Sequence, residues 1–485
     1  MHVNAQAGQR PGNRMLYIGD IAFTPSPQRL VGIRHGVVAM ENGIVSGRYE
    51  SMDDVPSDWL DAPKTDFGDA LVIPGFNDLH IHAPQYPTAG LGLDKELLPW
   101  LETYTFPAEA RFASPDYARI WYQRFIQRMW EGGTLRFSAF ATLHREATLT
   151  LARLAQESGL RPVIGKVNMD RNGSEELSES TEESLDNTVA VIETMRSETP
   201  DIGYIVTPRF VPSTTPELMR GLAAIAQRYD LPVQSHLSEN RGEVAWVREL
   251  HPECASYTDV YEHYGLLRDG KTIMAHCIYL DDEEIDTLRR HGVTVAHCPQ
   301  SNANLTSGIM PARRYLEKGL HVTIASDVDA GHVPDMNRHI AAAVAVSKLW
   351  QTQYADETAL RLPEAFHMAT KEPGRFLAAA TGQEPAGSFE PGYAFDALVV
   401  EPMTSPWGLS IAERVEQFIY TGAPANISHR YVAGREIPAP SPNRREISWP
   451  GVGRGTHGVR VAGVRVWPGS GFRRLSGSVG GFLVP

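Results

Sequence analysis

One pattern recurs along the chain: four to six apolar or small residues, then a single histidine or aspartate. It appears as Leu71-Val-Ile-Pro-Gly-Phe-Asn-Asp-Leu-His80-Ile-His82, Leu231-Pro-Val-Gln-Ser-His236, Thr272-Ile-Met-Ala-His276 and His321-Val-Thr-Ile-Ala-Ser-Asp327. Such short apolar runs read as buried strands, and between them the spacing turns helical over 215–229, 281–290 and 310–318. Strands alternating with helices predict a parallel sheet wrapped by helices. Closed into a (β/α)8 TIM-type barrel, that sheet carries the C-terminal ends of all its strands to one mouth, where residues distant in sequence converge. The expected fold class is therefore α/β, a barrel over residues 71–386.

The flanks are patterned differently. Met15-Leu-Tyr-Ile, Gly36-Val-Val-Ala-Met and Gly43-Ile-Val in 15–70, and Asp396-Ala-Leu-Val-Val and Tyr431-Val-Ala-Gly in 387–440, are short strand-like runs divided by turns. They predict a small β-sandwich domain assembled from both ends of the chain, which often lie close together on a compact domain. Residues 1–14 read as a flexible leader. Residues 441–485 hold seven arginines against Glu446 alone, are rich in glycine and lack an apolar period, so they read as a disordered tail.

Composition narrows the function classes. With 485 residues, 42% of them hydrophobic, the chain can fill a barrel core, typically about 250 residues, and a second unit besides. A formal charge of −13 argues against nucleic acid, whose phosphates demand a basic surface. No apolar run approaches the roughly 20 residues that span a bilayer, and the polar start lacks a signal-peptide core, so a cytoplasmic location is expected. Three cysteines, Cys254, Cys277 and Cys298, suit reduced packing thiols better than a disulfide framework. Strand alternation puts Cys277 and Cys298 in the barrel wall if His276 and His297 look inward.

The same alternation aims His80 and His82 to one side while Ile81 packs on the other. On spacing alone the pair reads equally as metal ligands or as hydrogen-bonded core residues. His297 divides in the same way between packing and lining the mouth. Two H-x-E strings, His144-Arg-Glu146 and His251-Pro-Glu253, lack the P-C-x-x-C partner that a cytidine-deaminase zinc site requires.

Longer strings carry a resemblance. The run from Pro74 through His82-Ala-Pro-Gln85 to Tyr104-Thr-Phe-Pro-Ala-Glu109-Ala-Arg-Phe112 resembles the guanine deaminase family of the amidohydrolase superfamily. So do Thr181-Glu-Glu-Ser184, Thr207-Pro-Arg209-Phe210, Gln234-Ser-His236-Leu-Ser-Glu239-Asn-Arg-Gly-Glu243, Ala296-His-Cys-Pro-Gln-Ser-Asn302 and Ser326-Asp-Val328. The likeness runs from about residue 15 to about residue 437. It implies one zinc ion per chain on His80, His82, His236 and Asp327, a ligand set that iron also accepts. Water activated there attacks C2 of guanine and yields xanthine and ammonia.

The resemblance also implies roles for other residues. Glu239 protonates the ring nitrogen beside C2, Asp327 takes a proton from the water, and His276 orients that water. Gln85, Arg209 and Phe210 hold the purine together with His82, His236 and Glu239. Without the resemblance Arg209 reads as a solvated charge and Phe210 as core. The family suggests a homodimer whose partner molecule is a small purine, not nucleic acid or membrane. The chain departs from the family at Asp329-Ala330-Gly331-His332, where a small glycine-rich run is usual; Asp329 and His332 are expected to face solvent. Two other readings stand beside this one: a zinc aminohydrolase acting on a pterin, triazine or oxidised purine, and a non-catalytic barrel scaffold.

Overall fold

Strand Phe76–His82 begins a parallel barrel that continues through Thr134–Phe140, Val163–Gly165 and Gly203–Tyr204. A bridge from Val206 to Val233 passes the sheet on to Val233–Leu237, Thr272–His276, Thr294–His297 and His321–Ile324. His80 and Asp327 close it: Asp327 N donates to His80 O at 2.9 Å and His82 N to Val328 O at 3.0 Å. Eight parallel strands thus return on themselves, and the last and first are tied at the very residues that carry the polar side chains. This computed structural model describes residues 13–404 and 408–440. All of them fall in one unit, residues 1–442, while residues 1–12 of the expected leader and the expected tail at 441–485 lie outside the described residues.

Aliphatic side chains fill the barrel interior, among them Leu79, Ile205, Ile273, Ala275, Ala296 and Ala325. A larger apolar layer between strands and helices holds the alternate strand positions such as Ile81, Val233, Met274 and Val295. The helices begin and end where local chemistry dictates. Pro216–Tyr229 starts behind Thr215, whose side chain accepts from Leu218 N, and stops at Asp230 in the left-handed conformation. Asp282–Arg290 starts in a reciprocal cap between Asp281 and Glu284.

Both ends of the chain meet in a seven-stranded mixed sheet. In spatial order it runs Arg435–Glu436, Ile427–Val432, Ala397–Val400, Lys64–Pro74, Arg14–Ser26, Arg29–Glu41 and Ile44–Tyr49. Separate apolar clusters pack on it, one around Phe23, Phe389, Phe395 and Tyr431, the other around Leu16, Val37 and Trp59. Lys64–Pro74 runs almost directly into the first barrel strand through Gly75, where a Cβ would stand 2.3 Å from Leu135 Cδ1. Glycine is required there because sheet and barrel touch. Arg136 of the second barrel strand reinforces the joint, donating from Nε to Asp396 Oδ2 at 2.6 Å with both side chains buried.

Candidate active site

The barrel mouth gathers the residues to which the resemblance gives metal, catalytic or purine-binding roles. His82, Gln85, Arg209, Phe210, His236, Glu239, His276 and Asp327 line one pocket, with His80 buried beneath. His236 projects inward by plain alternation, and His80 stands where the pairing of the first strand is irregular between Asp78 and Ile81. His276 does not: by its pairing with Leu237 it falls on the outer parity, and the backbone leaves the strand there with φ 69°. Ser238 (φ 51°) and Asp327 (φ 49°) also lie in the left-handed region, which costs a non-glycine residue about 1–3 kcal/mol and is tolerated where the surroundings demand it.

Three imidazole nitrogens and one carboxylate gather here, His80, His82 and His236 as one group and Asp327 against His80 and His82. His80 Nε2 lies 3.1 Å and His82 Nε2 3.5 Å from Asp327 Oδ1, and the Nε2 atoms of His82 and His236 face each other at 3.1 Å. His236 Nδ1 donates to Arg209 O at 2.6 Å, so its Nε2 carries a lone pair. Burial, then the neighbouring imidazoles, holds His82 and His236 well below the ordinary histidine range, in the neutral form that binds metal. Burial pushes Asp327 upward, but His80 and the other imidazoles outweigh it and hold the carboxyl below its usual range. Lone pairs and a carboxylate crowded together without protons between them describe a cation site. A catalytic zinc keeps a position for water beside its protein ligands, and the separations of 3.1–3.5 Å among these atoms suit metal bonds of about 2.0–2.1 Å.

Beside this cluster stand an acid and a histidine. Burial, then the charge of Asp327, raises Glu239 well above the ordinary carboxyl range and so favours its neutral acid form. Ser307 Oγ reaches its Oε1 at 3.5 Å, and Glu243 holds its backbone by accepting from Glu239 N at 2.8 Å. His276 Nδ1 donates to Asn302 Oδ1 at 2.9 Å, which turns Nε2 toward Glu239 Oε2 at 3.5 Å and Asp327 Oδ2 at 3.8 Å.

A lid of short helices covers the pocket: Leu97–Trp100, the π-helical turn Leu101–Thr105, and Phe106–Ala110. Pro107 has no N–H to continue the ladder, and the wide turn precedes it. Leu97, Trp100 and Leu101 give the cavity an apolar wall, and it encloses about 390 Å³ counting the space at its mouth. Glu109, on the last of these helices, accepts from Gln85 Nε2 and from Arg209 Nη1, each at 2.7 Å. Arg209 is buried rather than solvated, with its guanidinium 5.2 Å from the Phe106 ring. Phe210 borders the pocket edge-on to Trp246.

Two expectations change. Asp329 does not face solvent: it is 1% exposed, hydrogen-bonds Thr88, and burial pushes its carboxyl up to about 8. His332 is exposed, as expected, beside Asn304 Nδ2 at 3.1 Å. Cys298 does not lie in the wall: it shares the inner face with Ala296, its sulfur within 4.8 Å of the ligand atoms of His80, His276 and Asp327. Burial raises its thiol well above the usual range, which disfavours a thiolate ligand. His297 falls on the opposite face with Val295, the packing alternative. Neither H-x-E string enters the pocket; His251 instead pairs with Glu253 at 3.0 Å.

Glu109, Asn302 and Ser307 were given no role on sequence grounds, although Glu109 and Asn302 stand inside the strings that carry the resemblance. Residue spacing could not have found them, because Glu109 meets partners 24 and 100 positions away.

The comparisons with known proteins agree with this architecture. The guanine deaminase of Dictyostelium discoideum is 38% identical over 379 residues, covering 77% of this chain and 83% of that protein. The mouse guanine deaminase is 39% identical over 377 residues, covering 75% and 82%. A crystal structure of guanine deaminase from C. acetobutylicum, with guanine bound in its active site, superposes with a TM-score of 0.84 at 42% identity, covering 88% of this chain and 100% of that one. The sequence model of the amidohydrolase family matches residues 71–437, the barrel together with the strands that follow it, and the chain belongs to that family.

Proposed function

We propose that this chain hydrolyses guanine to xanthine and ammonia with the help of one zinc ion. The observation that carries the reading is the cluster of His80, His82, His236 and Asp327 at the floor of the same pocket that Glu239, Gln85 and Arg209 line, with Glu109 behind the last two. The relative with guanine in its active site supports the choice of base. Those four residues would hold the zinc, which would supply the Lewis acidity that makes water a nucleophile near neutral pH.

The chain's own groups do the rest. Arg209 donates to the purine carbonyl, and Phe210 offers an apolar ring face. Glu239, whose burial favours the acid form, gives its proton to the ring nitrogen beside C2 as that carbon becomes tetrahedral. Asp327 accepts a proton from the attacking water, and His276 holds the water's lone pairs and protons in register. The proton on Asp327 passes to the exocyclic nitrogen and ammonia leaves, while the hydroxyl on C2 gives its remaining proton back to Glu239 and becomes the new carbonyl of xanthine. The lid excludes bulk water while this happens. Homodimeric assembly belongs to the same reading and rests on the family resemblance; no helix among the described residues is long and apolar enough to cross a membrane.

Asp329, buried against Thr88 beside the pocket wall, is the feature that favours a different aminated heterocycle as a second reading. Ammonia release from guanine and from a panel of aminated pterins, triazines and oxidised purines, with bound metal quantified alongside, tests both. Guanine is expected to be the best substrate, with about one zinc per chain. Preference for another ring would install the second reading, and a metal-free protein inert after zinc addition would end both.

A further inference from the structure

We propose that Glu109 is a positioning residue that decides which end of the Gln85 amide the purine meets; the inference rests on the proposed guanine reading. Glu109, Gln85 and Arg209 are 1%, 2% and 3% exposed, and each oxygen of the carboxylate takes one hydrogen bond of 2.7 Å from one of the other two. A carboxylate only accepts, whereas a glutamine amide donates at one end and accepts at the other. Glu109 therefore holds the Gln85 nitrogen and leaves Oε1 for the pocket that Gln85 lines; among the described residues no donor reaches that oxygen. The same carboxylate binds Arg209 through Nη1, and the guanidinium's other N–H groups have no partner among the described residues.

The result is an acceptor and a donor set side by side, held in register by one acid on the lid. Their complement is a ring N–H next to a ring carbonyl, the lactam edge of a 6-oxopurine. A purine that keeps the 2-amino group but lacks this edge, such as 2-aminopurine, leaves both buried groups unpaired, and sites of this kind reject such analogues strongly. Because Glu109 stands on Phe106–Ala110, the reading of that edge is assembled when the lid is in place.

Glu109→Gln tests the assignment, since the new amide can donate to Gln85 and let it turn over. We expect KM for guanine to rise about tenfold with kcat changed less than about threefold, and preference for guanine over 2-aminopurine to shrink by a similar factor. The dissociation constant of guanine, measured in the non-turning Glu239→Gln background, should rise with KM while zinc content is unchanged. Exchanging the two groups, Gln85→Glu with Glu109→Gln, restores an acceptor facing the pocket and should return KM and the dissociation constant to within about threefold of wild type. Unchanged guanine affinity in Glu109→Gln overturns the proposal. So does an exchange variant that binds no better than the single one or fails to fold, since either outcome assigns Glu109 a packing role. Zinc-loaded wild type that releases no ammonia from guanine removes the functional reading instead, and this inference with it.

Discussion

Glu239 is useful only with its proton on. Burial and the neighbouring charge of Asp327 both favour the neutral acid, the form that can protonate a ring nitrogen. An amide of the same shape keeps the packing and loses the acid, so Glu239→Gln should retain its zinc while turnover falls by at least about 100-fold. Metal analysis beside an ammonia assay checks this, and wild-type turnover would remove Glu239 from the mechanism. In the wild type, turnover should decline as pH rises through the elevated Glu239 titration, because the base form has nothing to donate.

The segment after the eighth barrel strand shows how one backbone turn serves the site. Gly331 N donates to Asp327 O at 2.7 Å, and a Cβ at 331 would stand 1.7 Å from Ser326 O. That obstacle is backbone and cannot swing aside, so Gly331→Ala must displace the loop that carries Asp327. We expect it to cost at least about 2 kcal/mol of stability and to weaken zinc binding with it, as read by urea unfolding with and without zinc. His339, on the helix Met336–Gln353 that follows, senses pH. Its Nε2 donates to Val333 O at 2.6 Å, and burial lowers its pKa from 6.5 to about 4. Between those values the unfolded chain binds the proton and the folded chain does not, so stability falls as pH drops from about 6.5 to about 4, by up to about 3 kcal/mol. His339→Gln should flatten that part of the urea-midpoint profile; an unaltered profile would show that other groups produce it.

Sheet and barrel act as one body through contacts that cross between them. Arg136 meets Asp396 across 260 positions, and Asp396 also accepts from Ala433 N at 2.8 Å. Removing the cation alone leaves a buried carboxylate without its counter-charge, so Arg136→Met should cost about 3–5 kcal/mol. Adding Asp396→Asn to that variant should recover part of the loss, because an amide oxygen still accepts from Ala433. If the single variant melts like wild type, the joint does not depend on the pair.

Much of this molecule is legible along the chain. Period-two apolar runs ended by His or Asp mark the barrel strands, since a strand buried on both faces tolerates polar groups only where it emerges at the mouth. His80, His82, His236, His276 and Asp327 were readable for that reason, and the strand-like runs at both ends foretold a sheet built from the two termini. What stayed hidden depends on meeting across distance. Asp329 reads as a solvent-facing charge until Thr88, 241 positions earlier, is seen against it. Cys298 reads as a wall residue until the strand's inner face is known, and Glu109 is one acid in a string until Gln85 and Arg209 close on it. Periodicity records which side of its own strand or helix a residue occupies; which foreign side chain it then touches follows from barrel closure and the seating of the lid, and those are properties of the folded chain.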